Sequence, residues 1–292
     1  MENYSCLKIG DWKLSLKNMY NSECELYFPL HIGAFSERSK CIESDFKLEI
    51  VNRESSDKFT DMIVTKVEEG SRPYWIYKTQ SGNYLWNIKN NKQESLVTYS
   101  ISYDWKEFSV NIHDDKNGLI AFNNFGNVFA YSILNYGGIM FHGIVMEYNG
   151  KGVVISASSG TGKTTHVRMW RDNKNALILN GDRALCRKRS NKWYAYGSPW
   201  FGTSGECINR RVPMTAIVLL ERGEANEIER ISSYDGALAL IPRTFAPTWE
   251  KELMGKALDT IDDIVKEIPV LRLKCRPDLE SVEVLEKAIN NL

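Results

Sequence analysis

Alternating apolar and polar positions mark the first third of the chain. Asp45-Phe-Lys-Leu-Glu-Ile-Val51 places apolar side chains at every second position, as a half-buried strand does. Asp61-Met-Ile-Val-Thr-Lys-Val67, Asn83-Tyr-Leu-Trp-Asn-Ile88 and Leu96-Val-Thr-Tyr-Ser-Ile-Ser-Tyr103 are further candidate strands. The last leads through Trp105 and Phe108 to Val110-Asn-Ile112. Gly70-Ser71-Arg72-Pro73 and Ser81-Gly82-Asn83 are turn signals between these runs. His113-Asp-Asp-Lys-Asn-Gly118 is a polar cluster that ends the pattern. It divides a β-rich N-terminal domain over residues 1–115 from a second domain over 116–292. Trp12, Trp75, Trp86 and Trp105 are candidates for a ligand platform, but aromatic residues in strands more often form core.

Beyond the cluster the period changes. The uncharged run Val128–Met146 is long enough to raise a membrane span, yet Gly137-Gly138 splits it into two short apolar pieces. These read as a core helix or strand, a turn, and a strand. Val153-Val-Ile155, Ala176-Leu-Ile-Leu179 and Met214-Thr-Ala-Ile-Val-Leu-Leu220 read as buried strands, and Glu227–Ile231 as an edge strand. Thr164–Asp172 fits a helix. In Pro247–Ile268 the apolar residues Trp249, Leu253, Met254, Ala257, Leu258, Ile261, Ile264 and Val265 fall on one helical face. Val270-Leu-Arg-Leu273 reads as a strand, and Pro277 as the first-turn proline of a final helix. The expectation is an α/β domain.

The sharpest motif lies between the first of those strands and the helix after it. Ala157-Ser-Ser-Gly160-Thr-Gly162-Lys163-Thr164 follows G-x-x-x-x-G-K-[ST], with alanine in the first position. Successive loop amides and the positive end of a helix dipole form a cradle for phosphate oxygens. The pattern assigns Lys163 to the β- and γ-phosphates and the Thr164 hydroxyl to Mg²⁺. Asn180-Gly-Asp182-Arg183 then sets an acid at the end of a strand, where it suits Mg²⁺ or proton abstraction; the plain alternative is a turn. Gly197–Arg211, with three glycines and a proline, reads as a substrate loop or a solvated one, and its candidate actors are Glu206, Arg210 and Arg211. Arg243 and Arg276 sit in connecting loops as candidate phosphate contacts or ordinary surface arginines.

Lys+Arg and Asp+Glu both number 37, so bulk charge points to neither nucleic acid nor a membrane surface. The six cysteines (Cys6, Cys24, Cys41, Cys186, Cys207, Cys275) form no C-x-x-C pair, and by spacing neither a zinc site nor a disulfide framework. With an N-terminus lacking a basic and apolar signal segment, they lead to a cytoplasmic expectation.

His142-Gly143, a short β stretch, Gly152-Val-Val-Ile and Ser159-Gly160-Thr161-Gly162-Lys163-Thr164 resemble the HPr kinase/phosphorylase family. That family places a His-Gly pair one strand before G-x-S-G-x-G-K-[ST] and is related to phosphoenolpyruvate carboxykinases. Ser198-Pro-Trp200-x-Gly202 and Leu273-x-Cys275-Arg-Pro-Asp278 look closer to an HPr-kinase-like branch, some members of which modify ribosomally made peptides. The glycine-rich signature that follows the acidic motif in true HPr kinases is not recognisable. The resemblance implies an α/β P-loop kinase core of HPr kinase/carboxykinase type, preceded by the smaller β-rich region. It implies ATP and Mg²⁺, with phosphate binding by Ser159, Gly160, Thr161, Gly162, Lys163, Thr164 and Thr165, metal binding by Thr164 and Asp182, and His142 beside the catalytic acid. The family's Asp-Asp pair falls on Gly181-Asp182, so one acid is missing. Either Asp182 is the base, or Glu206 or His142 helps, or transfer is lost. The leading expectation is a kinase of a serine hydroxyl on a peptide or protein, with a homo-oligomer left open. A nucleotide-gated binding or scaffold protein is the alternative, and a small-molecule kinase or carboxykinase ranks last.

Overall fold

The computed structural model describes residues 4–18, 33–37, 41, 43–51, 62–68 and 72–292. The chain divides into two compact units, one running to Ser132 and one from Ile133 to Leu292.

Among the described residues, the first unit forms one nine-stranded sheet with α1 (Leu119–Ile133) packed on it. Its strands are β1 (Tyr4–Ile9), β2 (Trp12–Asn18), β3 (Ser36–Glu37), β4 (Phe46–Val51), β5 (Met62–Val67), β6 (Tyr74–Lys78), β7 (Tyr84–Lys89), β8 (Ser95–Ile101) and β9 (Glu107–Ile112). Their spatial order is β3-β1-β2-β4-β9-β8-β7-β6-β5, antiparallel except for the parallel pairs β2–β4 and β4–β9. The alternating run at 45–51 becomes β4, with Phe46, Leu48 and Ile50 buried. β1, β2 and β6 add to the strands the alternation predicts. Asp61, Gly70 and Ser71, named in that reading, lie outside the described residues.

The tryptophans are mostly core. Trp12, Trp86 and Trp105 are buried, and α1 packs its aromatic face over them. Phe129 meets Trp12 and Phe46 edge-on, Phe125 meets Phe108, and Tyr131 stacks on Trp86. Trp75 is half-buried under the Lys89 ammonium, 3.6 Å from the ring centroid. The spacing of the cysteines gives no disulfide, but the structure joins Cys6 to Cys41 across 35 positions, bringing β1 to the segment before β4. Such a pairing depends on fold proximity, which spacing does not encode. Cys24 lies outside the described residues.

The second unit is mixed α/β. It contains β10 (Gly138–Tyr148), β11 (Lys151–Ser156), α2 (Lys163–Lys174), β12 (Leu177–Asn180), β13 (Arg183–Arg189) and β14 (Lys192–Tyr196). β15 (Arg211–Arg222), β16 (Glu227–Arg230), α3 (Ser233–Leu240), α4 (Lys251–Glu267), β17 (Val270–Cys275) and α5 (Leu279–Asn290) follow. The sheet order is β11-β10-β13-β14-β15-β17-β16, and a further β11–β15 pairing closes the path on itself. The run Val128–Met146 ends α1, passes a short 3₁₀ turn and Gly137 in the left-handed region at φ +74°, and enters β10. Among the described residues, no helix is long and apolar enough to cross a membrane.

β11, β15 and β17 run parallel, as buried β-branched strands predict. β12 differs from the parallel-sheet expectation, because it pairs antiparallel with β10. Since β10 is itself antiparallel to β11, β12 runs in the same sense as β11. Its carboxyl end, and Asp182 beyond it, therefore still face the side from which the 157–162 loop leaves β11. Pro277 precedes Asp278, the N-cap of α5, instead of opening the helix; the Asp278 side chain accepts from Ser281 N.

A core of Val153, Ile155, Val167, Trp170, Val218, Leu271, Leu273, Val282 and Leu285 locks α2 and α5 to the parallel strands. His166 sits inside it, 3% exposed. Trp170 Nε1 donates to His166 Nε2 at 3.2 Å, and His166 Nδ1 faces Ser281 Oγ at 3.3 Å. Ser281 Oγ donates onward to Asp278 O, so the neutral Nδ1–H tautomer satisfies the whole line. Burial lowers His166 from 6.5 to about 4. The unfolded chain therefore binds one more proton than the folded chain between those values. This contribution to stability is complete above pH 6.5 and is lost as pH falls toward 4, about 3 kcal/mol in all. Unfolding midpoints measured from pH 7 to pH 4.5 should fall more steeply for the native chain than for His166→Gln. Parallel slopes would show that His166 is not the responsible group.

Candidate active site

The 157–162 loop leaves β11 from a fixed end. Ser156 is fully buried and donates from Oγ to His142 O at 2.6 Å, tying β11 to β10. Ala157, in place of the pattern's first glycine, points its methyl into the apolar core and is 1% exposed. A Cβ is thus accommodated where the motif departs. Gly160 and Gly162 are constrained by backbone and not by space. Their φ values are +76° and +115°, and an added Cβ would meet nothing within 4 Å. Gly162 is the N-cap of α2 and supplies no side-chain cap, so the first-turn amides of the helix are not capped by it. Ser159, Gly160 and Thr165 are exposed, while Thr161 and Thr164 are half-buried.

Lys163, the first residue of α2, folds back over this loop. Its Nζ donates to Ala157 O at 3.0 Å and stands 3.3 Å from His142 Nε2. On the other side of the ring, His142 Nδ1 is 3.3 Å from Asp182 Oδ1. With the proton on Nδ1, the imidazole donates to Asp182 and accepts from Lys163, and all three groups are satisfied. Lys163, His142 and Asp182 therefore form one continuous line drawn from α2, β10 and the β12–β13 turn. Burial lowers the Lys163 pKa, with Arg243 adding to the fall and Asp182 opposing it. Burial pushes Asp182 upward, but the His142 hydrogen bond and the positive charges of Arg183 and Lys163 outweigh it. Its carboxyl is held below the usual range.

Asn180 positions the acid. It is completely buried, and its Oδ1 accepts from Asp182 N at 2.9 Å and Arg183 N at 2.6 Å. Its Nδ2 donates to Ser198 O, Ser198 Oγ and Trp200 O. The same amide therefore fixes the turn and the loop that follows β14. His142 is held from beneath: Gly143 N donates to Asp182 O at 2.9 Å, and a Cβ at Gly143 would lie 3.0 Å from Ile155 O. Arg183 stacks over Phe245 at 4.8 Å, and that ring meets His142 edge-on. Arg243 donates to Ala239 O, and its Nε is buried without a hydrogen-bond partner among the described residues.

The 197–211 segment packs against the acid, although its singled-out charges point elsewhere. Glu206 pairs with Arg171 on α2 at 2.6 Å, Arg210 with Glu147 at 2.6 Å, and Arg211 lies over Tyr194. These three do not join the Lys163–His142–Asp182 line. A glycine makes the close approach instead. Gly202, at φ +60°, lies so close that a Cβ would be 2.9 Å from Asp182 Cγ. Asn180, Arg183 and Phe245 escaped the sequence reading as site residues; the Asn-Gly-Asp-Arg string was the available signal for the first two. Among the described residues, no group of three or more His, Cys, Asp or Glu is clustered to hold a metal.

Gly181 stands where a second acid was expected, and the structure explains its size. A Cβ there would fall 1.8 Å from Ser204 Oγ and 2.5 Å from Ser204 Cβ. Gly181→Ala should destabilise the chain by about 1–3 kcal/mol through overpacking. The same substitution in a Ser204→Gly background should cost less, as denaturant midpoints would show. Equal costs in both backgrounds would sever Ser204 from Gly181.

No curated protein matches the sequence. Among solved structures, the Hpr(Ser) kinase/phosphatase from Coxiella burnetii aligns with a TM-score of 0.32 and 10% identity, covering 52% of this chain and 88% of that one. At that level of likeness, the chemistry has to be read from this chain's own residues. The family described as SynChlorMet cassette protein ScmC matches residues 110–290, a span that contains the whole 157–162 loop and the Lys163–His142–Asp182 line. The chain belongs to the ScmC family of SynChlorMet cassette proteins.

Proposed function

We propose that this chain is an ATP- and Mg²⁺-dependent phosphotransferase whose acceptor is a hydroxyl, a serine of a peptide or protein. The observation that carries the reading is the line Lys163–His142–Asp182 at the mouth of a loop with two left-handed glycines. Phosphoryl transfer needs mainly positioning and charge neutralisation. The loop amides and the first turn of α2 supply donors for phosphate oxygens. Lys163 would exchange its bond to Ala157 O for a phosphate oxygen while keeping its contact with His142 Nε2.

Mg²⁺ fits this donor set. It takes one or two carboxylates together with substrate phosphates more readily than an all-protein cage. Thr164 and Asp182 would hold it, consistent with the carboxyl of Asp182 being kept ionised. When bound, the ion neutralises phosphate charge. Asp182 accepts the acceptor's hydroxyl proton, and His142 and Asn180 keep its carboxylate aimed. The peptide acceptor draws support from the resemblance of Ser198-Pro-Trp200-x-Gly202 to a peptide-modifying branch, since that segment lies against Asp182.

One observation favours a second reading, a nucleotide-gated binding protein without transfer. Ser204 fills the space an acid at 181 would need, so the site is built around a single carboxylate. The two readings separate on whether ATP is consumed.

Incubation of the chain with candidate peptides, ATP and Mg²⁺, read by mass spectrometry, should add phosphate to one of them. Lys163→Ala and Asp182→Asn should each lower transfer by about 10²–10⁴-fold with the fold kept. Full activity in Asp182→Asn would remove it as base, and ATP-dependent partner binding with no ATP consumed would establish the second reading. Because the Asp182 carboxyl is held below its ordinary 3.8, its own protonation should add no limb near neutrality, and the deficit of Asp182→Asn should be the same at pH 6 and pH 8. A deficit that vanished toward pH 6 would overturn the assignment.

A further inference from the structure

A cavity of about 420 Å³ opens beside the 157–162 loop, on the side of β15 and β17. None of Lys163, His142 or Asp182 lines it. Its walls include Gly160 and Thr165, Met169 on α2, Leu220 and Cys275 near the carboxyl ends of β15 and β17, and Arg276. Both strands run parallel to β11, so the cavity lies off the carboxyl ends of the three parallel strands, on the side from which the 157–162 loop leaves β11. Its volume falls at the small end of ligand pockets, which span roughly 300–1,000 Å³. A single nucleoside suits that space.

Arg276 decides what kind of group belongs there. Its Nε donates to Asp278 at 2.8 Å, Nη2 to Glu280 at 2.7 Å and Nη1 to Glu224 O at 3.2 Å. All three nitrogens are engaged and two acids balance the charge, so this guanidinium is not placed to capture a phosphate. The guanidinium is part of the cavity's lining, and its flat face suits an aromatic ring. Met169, Leu220 and Cys275 add apolar surface, of which the thioether adapts readily to a ring. Arg222 Nη2 donates to Gly160 O at 2.5 Å, joining the end of β15 to the loop itself. The cavity and the loop therefore share a wall.

We infer that this cavity seats the base of a purine nucleotide whose phosphates rest on the 157–162 loop. The inference rests on the reading of that loop as phosphate-binding and adds the part of the ligand the loop cannot recognise. A purine offers more ring face to Arg276 than a pyrimidine, and stacking strength follows that area.

The test is calorimetric titration of the full chain with ATP, CTP and inorganic tripolyphosphate, each with Mg²⁺. Tripolyphosphate carries the phosphate chain without a base. ATP should bind about tenfold or more tighter than tripolyphosphate, and tighter than CTP. Arg276→Gln and Met169→Trp should shrink the ATP advantage to about twofold while leaving tripolyphosphate affinity unchanged. Two variants are needed because Arg276 also braces the N-cap of α5 through Asp278, whereas Met169 is outside that network. Equal affinity for ATP and tripolyphosphate would overturn the base seat while the loop reading stood. Parity of ATP and CTP would overturn the purine. Binding of none of the three would overturn the loop reading and this inference with it.

Discussion

The buried amide of Asn180 is the constraint on which the site depends. It joins five partner atoms, two in the turn just after it and three in a segment 18 to 20 residues further along the chain. An amide with no exposure must find partners for both its oxygen and its nitrogen, or the fold carries an unsatisfied polar group. Here the partners are the backbone of the acid-bearing turn and of the loop that packs on it. Asp182 is therefore set by a side chain that has no chemistry of its own. The line to His142 and Lys163 follows, because Gly143 N grips Asp182 O and brings β10 alongside.

Glycine appears in this site for two different reasons. Gly160 and Gly162 have open space around them and are required by backbone conformation. Gly181 is required by space, against Ser204, and Gly143 packs tightly against Ile155 O. The first kind shapes a loop so that amides can converge; the second lets chain segments approach closely around one acid. Read only as a departure from a two-acid pattern, Gly181 suggests a lost function. Its packing against Ser204 shows a site closed around a single carboxylate.

Local features were legible in the sequence, and non-local ones were not. Val153–Ile155, the 157–162 loop and the helix after it are adjacent in the chain, and their conformation is set by neighbouring residues. The alternation at 45–51 and the helical face of 251–267 followed from burial on one side. By contrast, the hairpin of β13 and β14, the antiparallel pairing of β12 and the Cys6–Cys41 disulfide depend on which segments meet in space. Glu206, Arg210 and Arg211 illustrate the same limit. Their charges and loop position made them candidates, while partners on α2, β10 and β14 decide where they point. Phe245 carried no motif, and it became part of the site only because Phe245 N bonds to Met140 O beside His142.

Charge gives the same lesson in another form. With 37 basic and 37 acidic residues, the chain's total charge is silent about ligands. Around the Lys163–His142–Asp182 line the balance is different, with Lys163, Arg183 and Arg243 acting on a site that holds one carboxylate. Burial weakens the solvent screening that would otherwise flatten such a field. Burial lowers the pKa of Lys163, while the His142 hydrogen bond and the neighbouring cations keep the Asp182 carboxyl ionised. On the far side of the loop the balance is restored, since Arg276 is matched by Asp278 and Glu280. The loop thus separates the face that carries the Lys163–His142–Asp182 line from one where Met169, Leu220 and Cys275 contribute apolar surface. That division is the physical reason for assigning the two ends of a nucleotide to its two sides.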